Sequence, residues 1–253
     1  MSAISSPQIP PEAPMRVDPL SLVDRIGRIR AELNAYRADG KRLFATSSFQ
    51  SNSVVLLHLL SRFAPDVPVY FLQTGYHFPE TLRFRRELAA RFGLTVRDLR
   101  SSLSRHHQVS AQGRLLFAED PDRCCHVNKV VPMDPVLVGH DVWISGVRGA
   151  QSATRAAMGR TAKGRLGVTR YHPIIDWNAR DVYQYVQAHE LPAHPLDAQG
   201  YLSVGCAPCT RRPIDEPDLG GPPVPVDGER AGRWAGMNKT ECGLHLPADG
   251  DAS

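Results

Sequence analysis

The sequence predicts an α/β protein: a parallel sheet flanked by helices, forming a single domain with a flexible C-terminal arm. Two observations carry that expectation. From residue 42 to residue 191, short apolar runs alternate with amphipathic segments of helical length, as strands joined by helical crossovers do. From Pro213 to Arg230 the periodicity stops and Pro and Gly dominate, which reads as a connector carrying a last functional segment.

The elements follow in order. Residues 1–19 hold several Pro and Ser without periodicity and read as a disordered tail. In Leu20–Tyr36, the spacing of Leu22, Ile26, Ile29 and Leu33 predicts a helix. "RLFATSS" predicts a strand, "SVVLLHLLSRF" a helix and "VPVYFLQT" a buried strand. "PETLRFRRELAARFG" predicts a helix opened by Pro79 and closed by Gly93, and "LTVRDL" a third strand. After a polar stretch (101–121), "RCCHVNKVVPMDPVLVG" predicts a helix over its first half. "DVWISGVR" and "GVTRYHPIID" add strands, and "NARDVYQYVQAHEL" a helix capped by Asn178. The domain is expected to span 20–212 and the arm 213–253. No internal repeat is visible.

Composition narrows the classes. Of 253 residues, 42% are hydrophobic and 22% charged, the balance of a soluble globular chain. No run approaches the roughly 18 apolar residues that span a membrane, and the N-terminus lacks a secretory pattern. A cytoplasmic location is the expectation, with thiols kept reduced. Net charge is +4 without a block of Lys or Arg, so neither a membrane nor a nucleic-acid partner is expected.

Four of the five cysteines fall into two tight pairs, Cys124–Cys125 and the "CAPC" of Cys206 and Cys209. Clusters of thiolates hold zinc or iron–sulfur centres. Adjacent cysteines strain a tetrahedral single-ion site, whereas a cubane spreads its ligands over separate irons, so the pattern favours a [4Fe–4S] cluster. A redox "CAPC" pair would leave "CC" unexplained. Cys242, alone in "ECGLH", then lacks a partner thiol and suits a nucleophile resolved by another molecule's thiol; otherwise it is a surface cysteine without a role. Lys239 and His245 stand close enough in sequence to favour its thiolate.

Three stretches suit an anionic ligand. "TSSFQSNS", with Ser47 and Ser48, joins a strand to a helix, where backbone N–H groups face anions. It lacks the glycines of a Walker or Rossmann loop and could equally be a Ser-rich connector. Arg148 and Arg155 in "GVRGAQSATR" follow a strand, at the edge where open sheets bind ligands; spacing alone also allows solvated charges. Arg230 and Arg233 with Trp234 in "GERAGRW" precede Cys242, and a charged linker is the simpler account of them in isolation.

Taken together, "CC" with "CAPC", "ECGLH", "TGYHFPET" and "GVRGAQSATR" are similar to the assimilatory adenylyl-sulfate reductases within the larger phosphoadenylyl-sulfate reductase family. The resemblance runs from about Arg42 to His245. It implies an adenine nucleotide α-hydrolase-like sheet of the PP-loop type, and reduction of adenosine 5'-phosphosulfate to sulfite and AMP. It implies Cys242 as the nucleophile forming a thiosulfonate, with thioredoxin or glutaredoxin as dithiol donor. It further implies Cys124, Cys125, Cys206 and Cys209 as ligands of a [4Fe–4S] cluster, and Lys129 as the link between cluster and substrate. Arg148, Arg230 and His245 match groups around the phosphosulfate, and Ser47 and Ser48 the degenerate pyrophosphatase-type loop. A homo-oligomer is compatible with it. One departure is Gln73, where many relatives carry an acid before "TGYHF".

Three rival readings remain. The same chemistry on the 3'-phosphorylated nucleotide normally goes without the four paired cysteines. A sulfurtransferase on the same fold would want an intact "SGGxDS" loop. A non-catalytic iron–sulfur redox sensor would leave Arg148, Arg230 and Cys242 without work.

Overall fold

Alternation along the strands assigns the two faces of the sheet. In β1 (Leu43–Thr46), β2 (Val69–Leu72) and β4 (Val142–Ser145), Leu43, Ala45, Val69, Phe71, Val142 and Ile144 point into one core. Their neighbours Phe44, Tyr70 and Trp143 point into another, as the two-residue period of a strand requires. The structure is a computed structural model that describes residues 21–213, 229, 230, 232–234, 237, 239 and 241–245. The expected N-terminal tail and most of the expected connector lie outside the described residues.

The sheet has six strands in the order β3-β2-β1-β4-β6-β5, where β3 is Val96–Leu99, β5 Thr161–Lys163 and β6 Thr169–Tyr171. Five run parallel; β5 pairs antiparallel with β6 at the edge. The expected parallel sheet flanked by helices is present; the edge strand β5 was not expected, because a three-residue strand with the exposure pattern of "TAK" gives no apolar signal.

The larger core packs α1 (Leu22–Ala38), α2 (Ser53–Phe63), α3 (Pro79–Phe92) and a later helix, α8 (Ala179–Ala188), against one face. Expected boundaries hold: Pro79 sits in the first turn of α3, and Gly93 closes it in the left-handed region at φ 62°. Asn178 caps α8 (Ala179–Ala188), accepting from the Asp181 N–H. Arg25 of α1 donates to both Asp181 carboxylate oxygens, at 3.0 and 2.8 Å, tying the first helix to the last.

Between them run α4 (Leu116–Glu119), α5 (Pro121–Cys125), a π-helical turn (His126–Val130), α6 (Val131–Val138) and α7 (Ala153–Ala156). Helix was expected over only the first half of 123–139, yet it continues to Val138. Pro132 lies in the first turn of α6, which continues directly from the π turn, and Pro135 lies inside it, so each removes a helical N–H donor. Met133, Val136 and Leu137 bury themselves on the second face of the sheet, against Phe44 and Trp143. Packing outweighs the helix-breaking composition.

Candidate active site

Successive strands are added outward from β1 to β2 to β3, and the chain then returns to place β4 on the other side of β1. Open α/β sheets bind ligands at such a reversal, beyond the strands' C-terminal ends. A cavity lies there, lined by the loop after β1, the loop after β4, Cys206 and part of the C-terminal arm.

The loop after β1 turns tightly without glycines. The Ser47 hydroxyl accepts from the Phe49 N–H at 3.1 Å, and Ser53 accepts from the Gln50 N–H at 3.2 Å. Phe49 takes φ 53° and is fully buried against Phe71, with ring centroids 5.7 Å apart. Strain at one residue is held by core packing. Ser47, Ser48, Gln50, Ser51 and Asn52 thereby line the cavity.

The loop after β4 separates its two arginines. Arg155 lines the cavity, while Arg148 does not. Arg148 is 1% exposed and turned inward, donating to Glu229 at 3.0 Å. Burial, with the Arg155 charge nearby, brings Arg148 down to about 10. Arg155 donates to both Glu241 oxygens, at 2.8 and 3.1 Å, and to Gln151. Arg230 and Arg233 both line the cavity and lie over the Trp234 ring at 5.1 and 4.5 Å.

A second, smaller cavity lies alongside. It is lined by all four paired cysteines, Cys124, Cys125, Cys206 and Cys209, which are free thiols. Cys206, Lys129 and Arg233 line both cavities and form the wall between them. Lys129, four residues after Cys125, reaches back so that its Nζ lies 3.7 Å from Cys125 Sγ. Burial opposes the Lys129 charge, but the sulfurs of Cys242, Cys206 and Cys125 outweigh it and raise its pKa above the ordinary lysine value. Thr74 Oγ1 is 3.3 Å from Cys206 Sγ, and Asn128 Nδ2 is 3.7 Å from Cys124 Sγ. Asn128 is itself paired amide to amide with Gln108. Burial, with the neighbouring sulfurs, pushes Cys124 up to about 11, so holding four thiolates here calls for a compensating cation.

Cys242, expected on a mobile tail, is buried at 9% exposure, packed with Cys125, Cys209 and Trp234. The segment reaches this position by close backbone approach. Gly232 has φ 83°, and a Cβ there would meet the Arg211 carbonyl oxygen at 2.1 Å, while the Trp234 N–H donates to Cys209 O at 3.0 Å. A hydrogen bond from the Cys125 thiol pulls Cys242 well below the ordinary thiol pKa; Lys129 and the Leu244 N–H act the same way, against burial and Glu241. Lys239, expected beside Cys242, instead pairs with Asp122. His245 closes the short helix Gly243–His245, and its side chain lies outside what the structure describes. Gln73 does not line the cavity; its side chain accepts from the Gly75 N–H at 3.2 Å and caps that turn.

The sequence reading missed Glu229 and Glu241 as arginine partners, and Thr74 and Asn128 as neighbours of the cysteines. No local pattern marks an acid that pairs 86 residues away.

Beneath the cavity floor, His172 Nδ1 lies 2.7 Å from Ser145 Oγ, and burial with the Arg170 and Arg155 charges pushes His172 down to about 4. Its folded pKa is below the unfolded value, so the unfolded chain binds more protons. The stabilisation is therefore complete above about pH 6.5 and lost as pH falls towards 4, with about 2 kcal/mol gone by pH 5. Urea midpoints at pH 7 and pH 5 should separate in the wild type, and by less in His172→Asn; equal separations would discount His172.

A phosphoadenylyl-sulfate reductase structure from Candida auris superimposes with TM-score 0.57 at 22% identity, over 74% of this chain and 96% of that one. An FMN adenylyltransferase from Candida glabrata gives 0.54 at 12% identity, over 92% of each chain. Both similarities concern the fold. Adenosine 5'-phosphosulfate reductases from Streptomyces coelicolor and Rhodococcus opacus are 42% and 40% identical, over 81% and 76% of this chain and 83% and 74% of theirs. One from Geobacillus thermodenitrificans is 39% identical over 84% of this chain and 87% of its own. The class is that of oxidoreductases acting on a sulfur group. The phosphoadenosine phosphosulfate reductase domain matches residues 42–212, and the chain belongs to that family.

Proposed function

We propose that this chain reduces adenosine 5'-phosphosulfate to sulfite and AMP in assimilatory sulfate reduction, with Cys242 as the nucleophile. The observation that carries the reading is the position of Cys242. It lines the larger cavity and packs on Cys125 and Cys209 of the smaller one, within the influence of Lys129.

The Cys242 thiolate attacks the substrate sulfur, forming an S–S bond as the S–O bond to phosphate breaks. AMP leaves with the electron pair of that bond, and the chain holds a thiosulfonate. A dithiol of the thioredoxin or glutaredoxin type then attacks Cys242 Sγ. Sulfite departs with the bonding pair, the dithiol becomes a disulfide, and its two protons go to Cys242 and sulfite. Cys242 has to leave its buried seat to meet that partner. Lys129, Arg155, Arg230 and Arg233 face the cavity where negative charge moves onto the leaving phosphate, and one such fixed donor is worth roughly 3 kcal/mol in a dry site. Ser47 and Ser48 would hold the nucleotide, and His245 would join the groups around the phosphosulfate. Arg148, itself outside the lining, would support the site by holding Glu229, which lines the cavity.

The four thiols fit a [4Fe–4S] cluster. They surround one cavity from two chain segments, with Thr74 and Asn128 near two of the sulfurs and Lys129 and Arg233 in the wall. Among the described residues, no three His, Cys, Asp or Glu side chains close on a single metal ion. Such a cluster would supply cross-linking and local charge; the electrons come from the dithiol. No helix among the described residues is long and apolar enough to cross a membrane, and a cytoplasmic setting suits a dithiol donor.

Anaerobically purified protein, given sulfur-labelled adenosine 5'-phosphosulfate without reductant, should retain label on Cys242 and release it as sulfite on adding thioredoxin. Label from the 3'-phosphorylated nucleotide alone would transfer the mechanism to that substrate. Label from neither would sink the reading.

A further inference from the structure

Glu241 lies at the meeting point of three groups. Its Oε1 accepts from Arg155 Nη2 at 3.1 Å, Arg230 Nη2 at 3.2 Å and the Cys242 N–H at 2.9 Å. Its Oε2 accepts from Arg155 Nε at 2.8 Å. The side chain is 3% exposed, and Glu241, Arg155, Arg230 and Cys242 all line the larger cavity. Arg155 belongs to the segment after β4, whereas Arg230 and Cys242 belong to the C-terminal segment. One buried carboxylate therefore joins the body of the protein to the reactive thiol.

We infer that Glu241 is a positioning residue that seats Cys242, and that its carboxylate competes with the anionic group of the substrate for the guanidiniums of Arg155 and Arg230. The inference rests on the reading of Cys242 as the nucleophile for an adenosine phosphosulfate. An arginine recognises an anion through its planar fork of N–H donors. In Arg155 two donors are spent on Glu241 and a third on Gln151, so an entering phosphosulfate has to displace Glu241 from at least part of that fork. The pair is buried, which makes the exchange of one carboxylate for another anion feasible and the loss of both costly. Once Glu241 shifts, the Cys242 N–H loses its acceptor and the thiol is free to turn towards the sulfur. When AMP departs, the carboxylate retakes the two guanidiniums and reseats Cys242. Glu229 repeats the pattern, lining the same cavity and neutralising Arg148 from the same C-terminal segment.

The test is Glu241→Gln, which keeps the length and the acceptor for the Cys242 N–H but removes the charge. With the cluster loaded, and with iron content and the melting profile checked against wild type, AMP binding is measured by calorimetry and turnover with adenosine 5'-phosphosulfate. The variant should bind AMP about tenfold more tightly while kcat falls by about tenfold or more. A merely structural defect would not tighten binding. AMP affinity within about twofold of wild type, or weaker, overturns the inference. If the glutamine variant does not fold, Glu241→Asp decides: it keeps the charge but shortens the reach, so wild-type AMP affinity with a reduced kcat supports the inference and a normal kcat overturns it. Wild-type protein that binds neither AMP nor adenosine 5'-phosphosulfate would defeat the functional reading itself. A wild type that binds both, with an unaltered Glu241→Gln, would defeat this inference alone.

Discussion

Cys242→Ser should retain its iron and its affinity for AMP while turnover falls by about four orders of magnitude or more, the scale set by removing a nucleophile from an intact site. The serine is nearly isosteric, and the seat around it is made by other groups: the Trp234 ring, Cys125 and Cys209 of the same apolar cluster, and the Glu241 carboxylate on the backbone N–H. Packing therefore survives. The nucleophile does not, because the Cys125 thiol, Lys129 and the Leu244 N–H pull down the pKa of a thiol, whereas a serine hydroxyl is far too weak an acid for the same groups to ionise it. The measurement is sulfite release with a dithiol in excess, alongside the single-turnover label on the chain. Sulfite production within about tenfold of wild type would remove Cys242 from the nucleophile's role.

Cys206→Ser should lose most of its iron and unfold at a lower temperature. Cys206 and Cys209 lie far along the chain from Cys124 and Cys125, yet all four line one cavity. A group bonded to both pairs closes a loop of about eighty residues, which by chain entropy stabilises the fold by about 4.5 kcal/mol. For a protein of this size, that corresponds to a fall in Tm of about 10 °C or more. Loss of Cys206 also strips the Thr74 hydroxyl of its sulfur neighbour, within the segment whose Ala207 N–H donates to Tyr76 O at 2.7 Å. Iron analysis and a melting curve under anaerobic conditions test both statements. Full iron content would exclude Cys206 as a ligand, and an unchanged Tm with iron lost would show that the cross-link does not stabilise the fold.

Much of the frame was legible because its signals are local. Short continuous apolar runs such as "LFAT" and "VWIS" mark strands buried on both faces, and Pro79, Gly93 and Asn178 mark helix ends through their own backbone chemistry. The edge strand Thr161–Lys163 carried no such mark, because an exposed three-residue strand is defined by its partner rather than by its side chains. The continuous helix through Pro132 was hidden for the opposite reason. Its local composition argues for a break, and only burial of Met133, Val136 and Leu137 on the sheet holds it.

The cavity residues divide in the same way. Sequence spacing alone selected the paired cysteines, the lone Cys242 and the arginine-bearing loops, since thiol chemistry and cation type are properties of the residues themselves. It could not rank Arg148 against Arg155. Both follow the same strand, but one side chain turns inward to Glu229 and the other faces the cavity. Nor could it assign Gln73, whose amide closes a turn instead of lining the cavity.

The sequence by itself therefore determined the chemical inventory and the apolar strands and long helices that frame the site, because these depend on residue type and short-range periodicity. The tertiary structure alone decided that Cys242 is buried against Cys125 and Cys209, that Lys129 stands in the wall between two cavities, and that Glu241 joins Arg155 to the thiol's backbone. Those contacts link residues far apart in the chain. They exist only once the sheet has set β1 beside β4 and burial has given each charge a partner.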